Sequence, residues 1–127
     1  MENRRVDQIT PDLDQILPLT PAVFHILLAL ADQERHGYGI MQEVATMTRN
    51  QTQMGPGTLY GTIKRMVAAR FIAESDERPD PAMDDERRRY YRLTDWGRQV
   101  LAAETQRLST LVQVAQTKKA FDVMGAT

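Results

Sequence analysis

Between Leu19 and Leu93 the spacing of apolar residues changes from helical to strand-like, and this single change leaves the chain few folds to choose from. Three short helical stretches come first, two runs suited to β-strands follow, and a last long stretch returns to helical spacing. Leu19-Thr20-Pro21 opens the first helix. Thr20 is suited to cap it, Pro21 to its first position and Leu19 to staple onto Phe24. That helix is expected to run to about Ala31, where the polar run Asp32 to His36 and then Gly37 form a turn. A second helix, near Tyr38 to Met47, places Ile40, Val44 and Met47 on one buried stripe. After a polar turn from Thr48 to Gln53, Gly55-Pro56-Gly57-Thr58 starts a third helix through about Arg70. Leu59, Ile63, Met66 and Val67 form its inward face, and Gly57, Tyr60, Gly61, Lys64, Arg65 and Ala68 its outward face.

Phe71-Ile72-Ala73 reads as a strand and Arg89 to Leu93 as a second, with an acidic, Pro-interrupted loop between them. Alternation sets Arg89, Tyr91 and Leu93 on one face of the second strand, and Arg88, Tyr90 and Arg92 on the other. Thr94 then caps a final helix through about Phe121, with Asp95 favourable in its first turn. The fold class expected is mainly α with a small β-hairpin: a winged helix-turn-helix over residues 19–94 and a long C-terminal dimerisation helix with a tail over 95–127. Residues 1–18 form an extension in which Ile9, Leu13, Ile16 and Leu17 are spaced for a short helix against a partner. A last helix reaching Asp122 is about 42 Å long, against roughly 36 Å for the diameter of a compact chain of this length. It overhangs its own domain, so Leu101, Leu108, Leu111, Val112 and Ala115 need a second subunit to cover them, with Glu104 and Lys118 near the same stripe.

Function is read from where the charge lies rather than from its total. The net charge of −1 argues against a nucleic-acid partner when taken whole. Yet Arg49 to Ile72 carries Arg49, Lys64, Arg65 and Arg70 without an acid, and Arg87 to Arg92 carries four Arg without one. These segments fall on the third helix and the wing strand, the elements that meet the major groove and the DNA backbone in a winged helix-turn-helix. A face meant only for solvent more usually alternates Glu with Lys, and two helix-weakening glycines there are justified by the close approach of another surface. Between the two basic segments, Ala73 to Glu86 is strongly acidic. Such a wing tip repels phosphate, so it must bend away from DNA or pair with Arg87, Arg88 and Arg89.

The same residues resemble the PadR family of bacterial transcriptional regulators. The likeness spans about Leu19 to Phe121 and is carried by three motifs in order. They are His36-Gly37-Tyr38-Gly39-Ile40, then Gly57-Thr58-Leu59-Tyr60 followed by Ile63-Lys64-Arg65-Met66, and Arg89-Tyr90-Tyr91-Arg92-Leu93-Thr94-Asp95-Trp96-Gly97. The short chain is similar to the smaller subfamily with one C-terminal helix. The resemblance implies a homodimeric repressor that binds double-stranded DNA at an inverted-repeat operator and is released by a small molecule. Carried over by position, Tyr60, Lys64 and Arg65, with Thr58 at the start of the same helix, are the implied DNA contacts, and Arg89 and Arg92 the implied phosphate contacts. An apolar or aromatic effector is expected between subunits along Leu101, Leu108, Leu111, Val112 and Ala115. The sequence departs from the family at the acidic wing tip and at Phe71, where a helix-ending Gly is common.

Other chemistries find little material. With no Cys and two His, the chain lacks the residues for a thiolate zinc site, a cysteine nucleophile or a catalytic triad, so no catalytic residue, metal or cofactor is expected. His25, in an apolar helix, reads as a core or interface histidine, and His36 as a local hydrogen-bonding residue beside Gly37. Trp96 reads as a packing residue against the wing or the first helix. The apolar stretch Ala22 to Ala31, interrupted by His25, is too short to span a bilayer, which makes a cytoplasmic location the expectation. The alternative to DNA binding is a winged-helix module whose basic face meets an acidic protein. The joint placement of basic residues on helix and wing favours DNA.

Overall fold

The computed structural model describes residues 12–75, 89–120 and 122. The expectations for Ile9, for the wing tip from Asp76 to Arg88 and for Phe121 lie outside them. Their order is α1 (Leu13–Ile16), α2 (Pro21–Ala29), β1 (Arg35–His36), α3 (Gly37–Met47), α4 (Pro56–Ala68), β2 (Ile72–Glu74), β3 (Tyr90–Leu93) and α5 (Asp95–Thr117). The short helix expected before Leu19 is α1. One unit comprises residues 19–101, and the described parts of 1–18 and 102–127 form another.

Local chemistry sets the helix starts. The Val23 amide donates to Thr20 Oγ1 at 3.3 Å, with Pro21 at the first position of α2. α2 stops at Ala29, two residues short of expectation, because Arg35 Nε donates to the Ala29 carbonyl at 2.7 Å. The same guanidinium pairs with Asp32 at 3.3 Å and Glu43 at 3.6 Å, which ties the α2–β1 turn to α3. The polar run expected as a turn therefore contains a strand. β1 is two residues long and pairs antiparallel with β3, Arg35 opposite Tyr91 and His36 opposite Tyr90.

The core of the first unit is built where α2 meets α3 and α4. Ile26, Leu27, Ala29, Leu30, Ile40, Val44, Leu59, Ile63 and Met66 are buried there. Each of these side chains other than that of Ala29 contributes roughly 1.5–3 kcal/mol by leaving water. Val67, expected on the inward face of α4, is instead 41% exposed, and Thr62 takes the buried position. Thr62 is tolerated there because its hydroxyl donates to the Thr58 carbonyl at 2.7 Å. α4 ends at Ala68 with Arg70 at φ 66°. The Arg70 amide bonds the Val67 carbonyl and the Phe71 amide the Met66 carbonyl, each at 3.0 Å. This is a Schellman closure in which Arg70 holds the left-handed position and buried Phe71 is the apolar anchor after it.

β2 and β3 form the wing, with Ile72 opposite Leu93, Ala73 opposite Arg92 and Glu74 opposite Tyr91. The sheet order is β1-β3-β2. Ile72, Tyr91 and Leu93 are buried, so the face bearing Ala73, Tyr90 and Arg92 is the outer one. Together with α3 and α4, this is the expected winged helix-turn-helix.

α5 begins on Thr94. Its hydroxyl donates to the Arg70 carbonyl at 2.6 Å and the Phe71 carbonyl at 3.1 Å, and accepts from the Gly97 amide at 2.9 Å. A Cβ on Gly97 would overlap the Phe71 carbonyl, with Phe71 C at 2.9 Å and its Cα at 3.3 Å. Val100 and Leu101 are buried along the same side of α5. Leu101, expected to await a second subunit, is therefore already covered within the chain. In the second unit Glu104 is buried and takes Arg107 in a fork, Nε to Oε1 at 2.6 Å and Nη2 to Oε2 at 3.0 Å. That hydrogen bond, aided by attraction to the carboxylate and opposed by desolvation, raises the Arg107 pKa above its ordinary value. α5 ends at Thr117, short of Phe121, because Lys119 turns left-handed at φ 60° and the Ala120 amide closes onto the Ala115 carbonyl at 2.8 Å. Beyond Glu104, Leu108 and Ala115 are half-buried, while Leu111, Val112 and Val114 are 52%, 47% and 44% exposed.

Gly97→Ala should cost at least about 3 kcal/mol in urea unfolding, since the backbone of Phe71 has to move. Arg70→Gly should gain about 1 kcal/mol by relieving the left-handed position. Equal stability of the two variants would contradict the packing described.

Candidate nucleic-acid interface

α4 presents an open, acid-free face. Its N-cap is Gly55, no side chain caps it, and Pro56 occupies its first turn, which leaves the positive end of the helix dipole to an outside acceptor. Gly57 and Thr58 are exposed there, and nothing lies within 4 Å of where a Gly57 Cβ would stand. Lys64 and Arg65 are exposed on the following turns. Arg65 does not swing freely. Its Nη2 donates to Thr62 Oγ1 at 3.2 Å, and its Nη1 stands 3.7 Å from the Cβ position of Gly61. The guanidinium is thus laid back over Gly61, where a methyl group fits at ordinary contact distance and a longer side chain would compete for the space.

Tyr60 is placed differently from Lys64 and Arg65. It is half-buried against Gly37, where an added Cβ would overlap its hydroxyl and stand 2.7 Å from ring atoms Cε1 and Cζ. A side chain at 37 would displace the hydroxyl end of this ring from the start of α3. The α3–α4 turn is held by Thr48, whose hydroxyl donates to the Val44 carbonyl at 2.8 Å and accepts from the Thr52 amide at 3.1 Å. Arg49 and Asn50 stand exposed in that turn at φ 53° and 64°. Arg49, counted in the sequence as part of a basic segment but given no role, is brought to the same turn that leads into α4.

On the wing, Arg92 lies on the outer face opposite Ala73, whose small side chain leaves it room. Arg89 falls on the parity of buried Tyr91 and is exposed, with Nε 3.2 Å from Glu74 Oε2. The two wing arginines therefore diverge. Arg92 points from the face away from the core, whereas Arg89 is engaged by the first acid of the acidic run, the pairing expected of that loop in the part of it described.

The residues expected to line an effector pocket do not share one environment, since Leu101 is buried and Leu111 and Val112 are exposed. An open groove of about 440 Å3 lies elsewhere, lined by Val67, Arg70, Ile72, Glu74, Thr94 and Trp96 among others. Trp96, expected to pack, lines this groove, and its Nε1 and the Nδ1 of His25 are buried without a hydrogen-bond partner. No group of His, Cys, Asp and Glu suited to a metal occurs among the described residues, nor any helix long and apolar enough to cross a membrane.

Known proteins share this fold. The profile of the transcriptional regulator PadR-like family matches residues 26–103, more than half of the chain. Transcriptional regulator Rv3488 of Mycobacterium tuberculosis is 36% identical over 89 residues, covering 70% of this chain and 77% of that protein. The fold is similar to a PadR family transcription regulator from hypervirulent Clostridium difficile R20291, with a TM-score of 0.63 at 23% identity over 77% of this chain and 97% of the other. It is also similar to Bordetella bronchiseptica BpsR, whose DNA binding is regulated by 6-hydroxynicotinic acid, with a TM-score of 0.59 at 27% identity over 86% of this chain and 70% of that one.

Substitutions at Gly61 separate the two demands on α4. Gly61→Ala should stabilise the chain by up to about 1 kcal/mol through helix propensity and keep DNA binding, because the methyl group would meet the guanidinium at ordinary contact distance. Gly61→Leu should instead weaken binding at least fivefold by displacing Arg65. Paired urea titrations and anisotropy with duplex DNA check both halves.

Proposed function

The chain belongs to the PadR-like family of transcriptional regulators, and from that premise we propose that it is a homodimeric repressor that binds an inverted-repeat operator and is released by an apolar or aromatic small molecule. The observation that carries the DNA half of this reading is the face of α4, free of acids, open at Gly57 and bearing a pre-oriented Arg65. Gly57 and Thr58 offer first-turn amides to phosphate, Lys64 and Arg65 reach base edges or phosphates, and Tyr60 presents the ring edge that Gly37 leaves uncovered. Arg92 meets the backbone from the wing. Arg89 does so only by leaving Glu74, an exchange that phosphate favours more as salt is lowered. In this reading residues 19–94 carry DNA binding and 95–127 dimerisation.

The exposed run of Leu111, Val112 and Val114 supports the dimer, because a solvated helix gains nothing from three large apolar side chains within four residues. Leu108 and Ala115 flank the same stretch, and Leu101 anchors the helix to its own chain instead. Effector release is supported by BpsR, whose DNA binding responds to a small aromatic acid. For release here, the ligand must prefer a dimer whose recognition helices are spaced wrongly for DNA.

Two recognition helices related by a dimer axis require half-sites about 34 Å apart. Three or four phosphates neutralised per subunit give a slope of log affinity against log salt of about −5 to −7. Lys64→Ala, Arg65→Ala and Arg92→Ala each remove two contacts per dimer and should flatten that slope by about 2. Unchanged affinity in all three would overturn the placement. Leu111→Glu should leave the fold intact and convert a dimer to a monomer in sedimentation. A wild-type monomer at micromolar concentration would remove the dimer from the reading.

A further inference from the structure

His36 stands where the wing, α3 and α4 meet. It is the last residue of β1 and lies opposite Tyr90 of the wing strand. Its ring meets the Tyr90 ring edge-on, with centroids 5.2 Å apart and planes at 76°. Its Nδ1 accepts from the Gly39 amide at 2.9 Å, which caps α3. The next residue, Gly37, is the surface on which Tyr60 of α4 rests. One imidazole and its neighbour thus touch both elements assigned to DNA.

We propose that His36 is a positioning residue for DNA binding that acts only as neutral imidazole, holding Tyr60 and Tyr90 in fixed relation, so that its protonation loosens the recognition helix from the wing. The inference rests on the DNA-binding reading above. The chemistry follows from the direction of the cap. Nδ1 accepts a hydrogen bond through its lone pair, and an imidazolium has no lone pair left, so the Gly39 amide loses its partner on protonation. The start of α3 then frays at Gly37, under the Tyr60 ring. Among the described titratable and charged residues, Arg35 and Tyr38 neighbour it in sequence, Tyr90 of β3 meets its ring, and Tyr60 of α4 rests on the adjacent Gly37. Arg35 is committed to the Ala29 carbonyl, Asp32 and Glu43.

The sign makes the inference testable. A histidine that merely gains charge near DNA strengthens binding as pH falls, because each added cation releases counterions from phosphate. A histidine that must stay neutral to hold the interface weakens it. The experiment uses the full chain and a duplex enriched by the wild type from a random-sequence library at pH 8, with affinity read by anisotropy from pH 8 to pH 5 at constant salt. The Gly39 amide resonance of the DNA-free protein is followed over the same range. We expect wild-type affinity to fall about five- to tenfold, on the scale of a lost helix cap. His36→Asn, which caps without titrating, should keep most of the pH 8 affinity and give a flat profile. His36→Ala should bind weakly at every pH. The Gly39 resonance should move with pH in the wild type and stay fixed in the Asn variant. His25, the other histidine, is present in every variant, so its contribution cancels.

A wild-type profile that is flat or rises toward pH 5, or an Asn variant that falls as the wild type does, overturns the inference and leaves the DNA-binding reading standing. If the Ala variant does not fold, the Asn profile and the Gly39 resonance decide alone. Failure to enrich any duplex overturns the DNA-binding reading and this inference with it.

Discussion

The carbonyl of Phe71 fastens the two halves of the winged helix-turn-helix together. It accepts the Thr94 amide and hydroxyl, each at 3.1 Å, and Gly97 lets the first turn of α5 come directly onto it. Hydrophobic burial has no direction, so the core under α4 does not by itself say how the wing or the last helix leaves it. Two hydrogen bonds to one carbonyl do. They set Ile72 opposite Leu93 in the next pair of the sheet, and so fix which wing residues face outward. The same hydroxyl bonds Arg70, so the end of α4, the root of the wing and the start of α5 share one anchor.

Stability is given up where the surface has to stay open. α4 carries glycines at 57 and 61, a weak cap at Gly55 and a left-handed arginine at its end, each costing a helix up to about 1 kcal/mol. Against these stand Leu59, Ile63 and Met66, all buried. The balance is a helix held by its inner face and left accessible on its outer one. Gly37 and Gly97 play a different part, because at both positions a neighbouring chain segment already occupies the space of a side chain.

Much of this was legible in the sequence, because it is local chemistry. Thr20-Pro21, Pro56 and Thr94 mark three helix starts, and the alternation of Tyr90 to Leu93 separates the wing's buried face from its outer face. The basic residues of α4 fell on the exposed side for the same reason. What escaped is set by contacts distant in sequence. A strand of two residues has no periodicity, so β1 read as a turn. Val67 sits at the edge of the apolar stripe of α4, and which edge is buried depends on where the wing packs. Leu101 reads as a dimer residue until Val100 and Gly97 are seen on the same covered side. The seating of Tyr60 on Gly37 and the edge contact of His36 with Tyr90 left no trace beyond the motif residues themselves.

The functional reading stands on the claim that the outer faces of α4 and β3 together meet DNA. Amide chemical-shift mapping with a mixed-sequence duplex at low salt tests it directly and requires no defined operator. The largest shifts are expected at Gly57, Thr58, Gly61, Lys64, Arg65 and Arg92, with Leu111 to Val114 unmoved. Shifts confined to α5 or to the groove beside Trp96, or none at low salt, would contradict the claim.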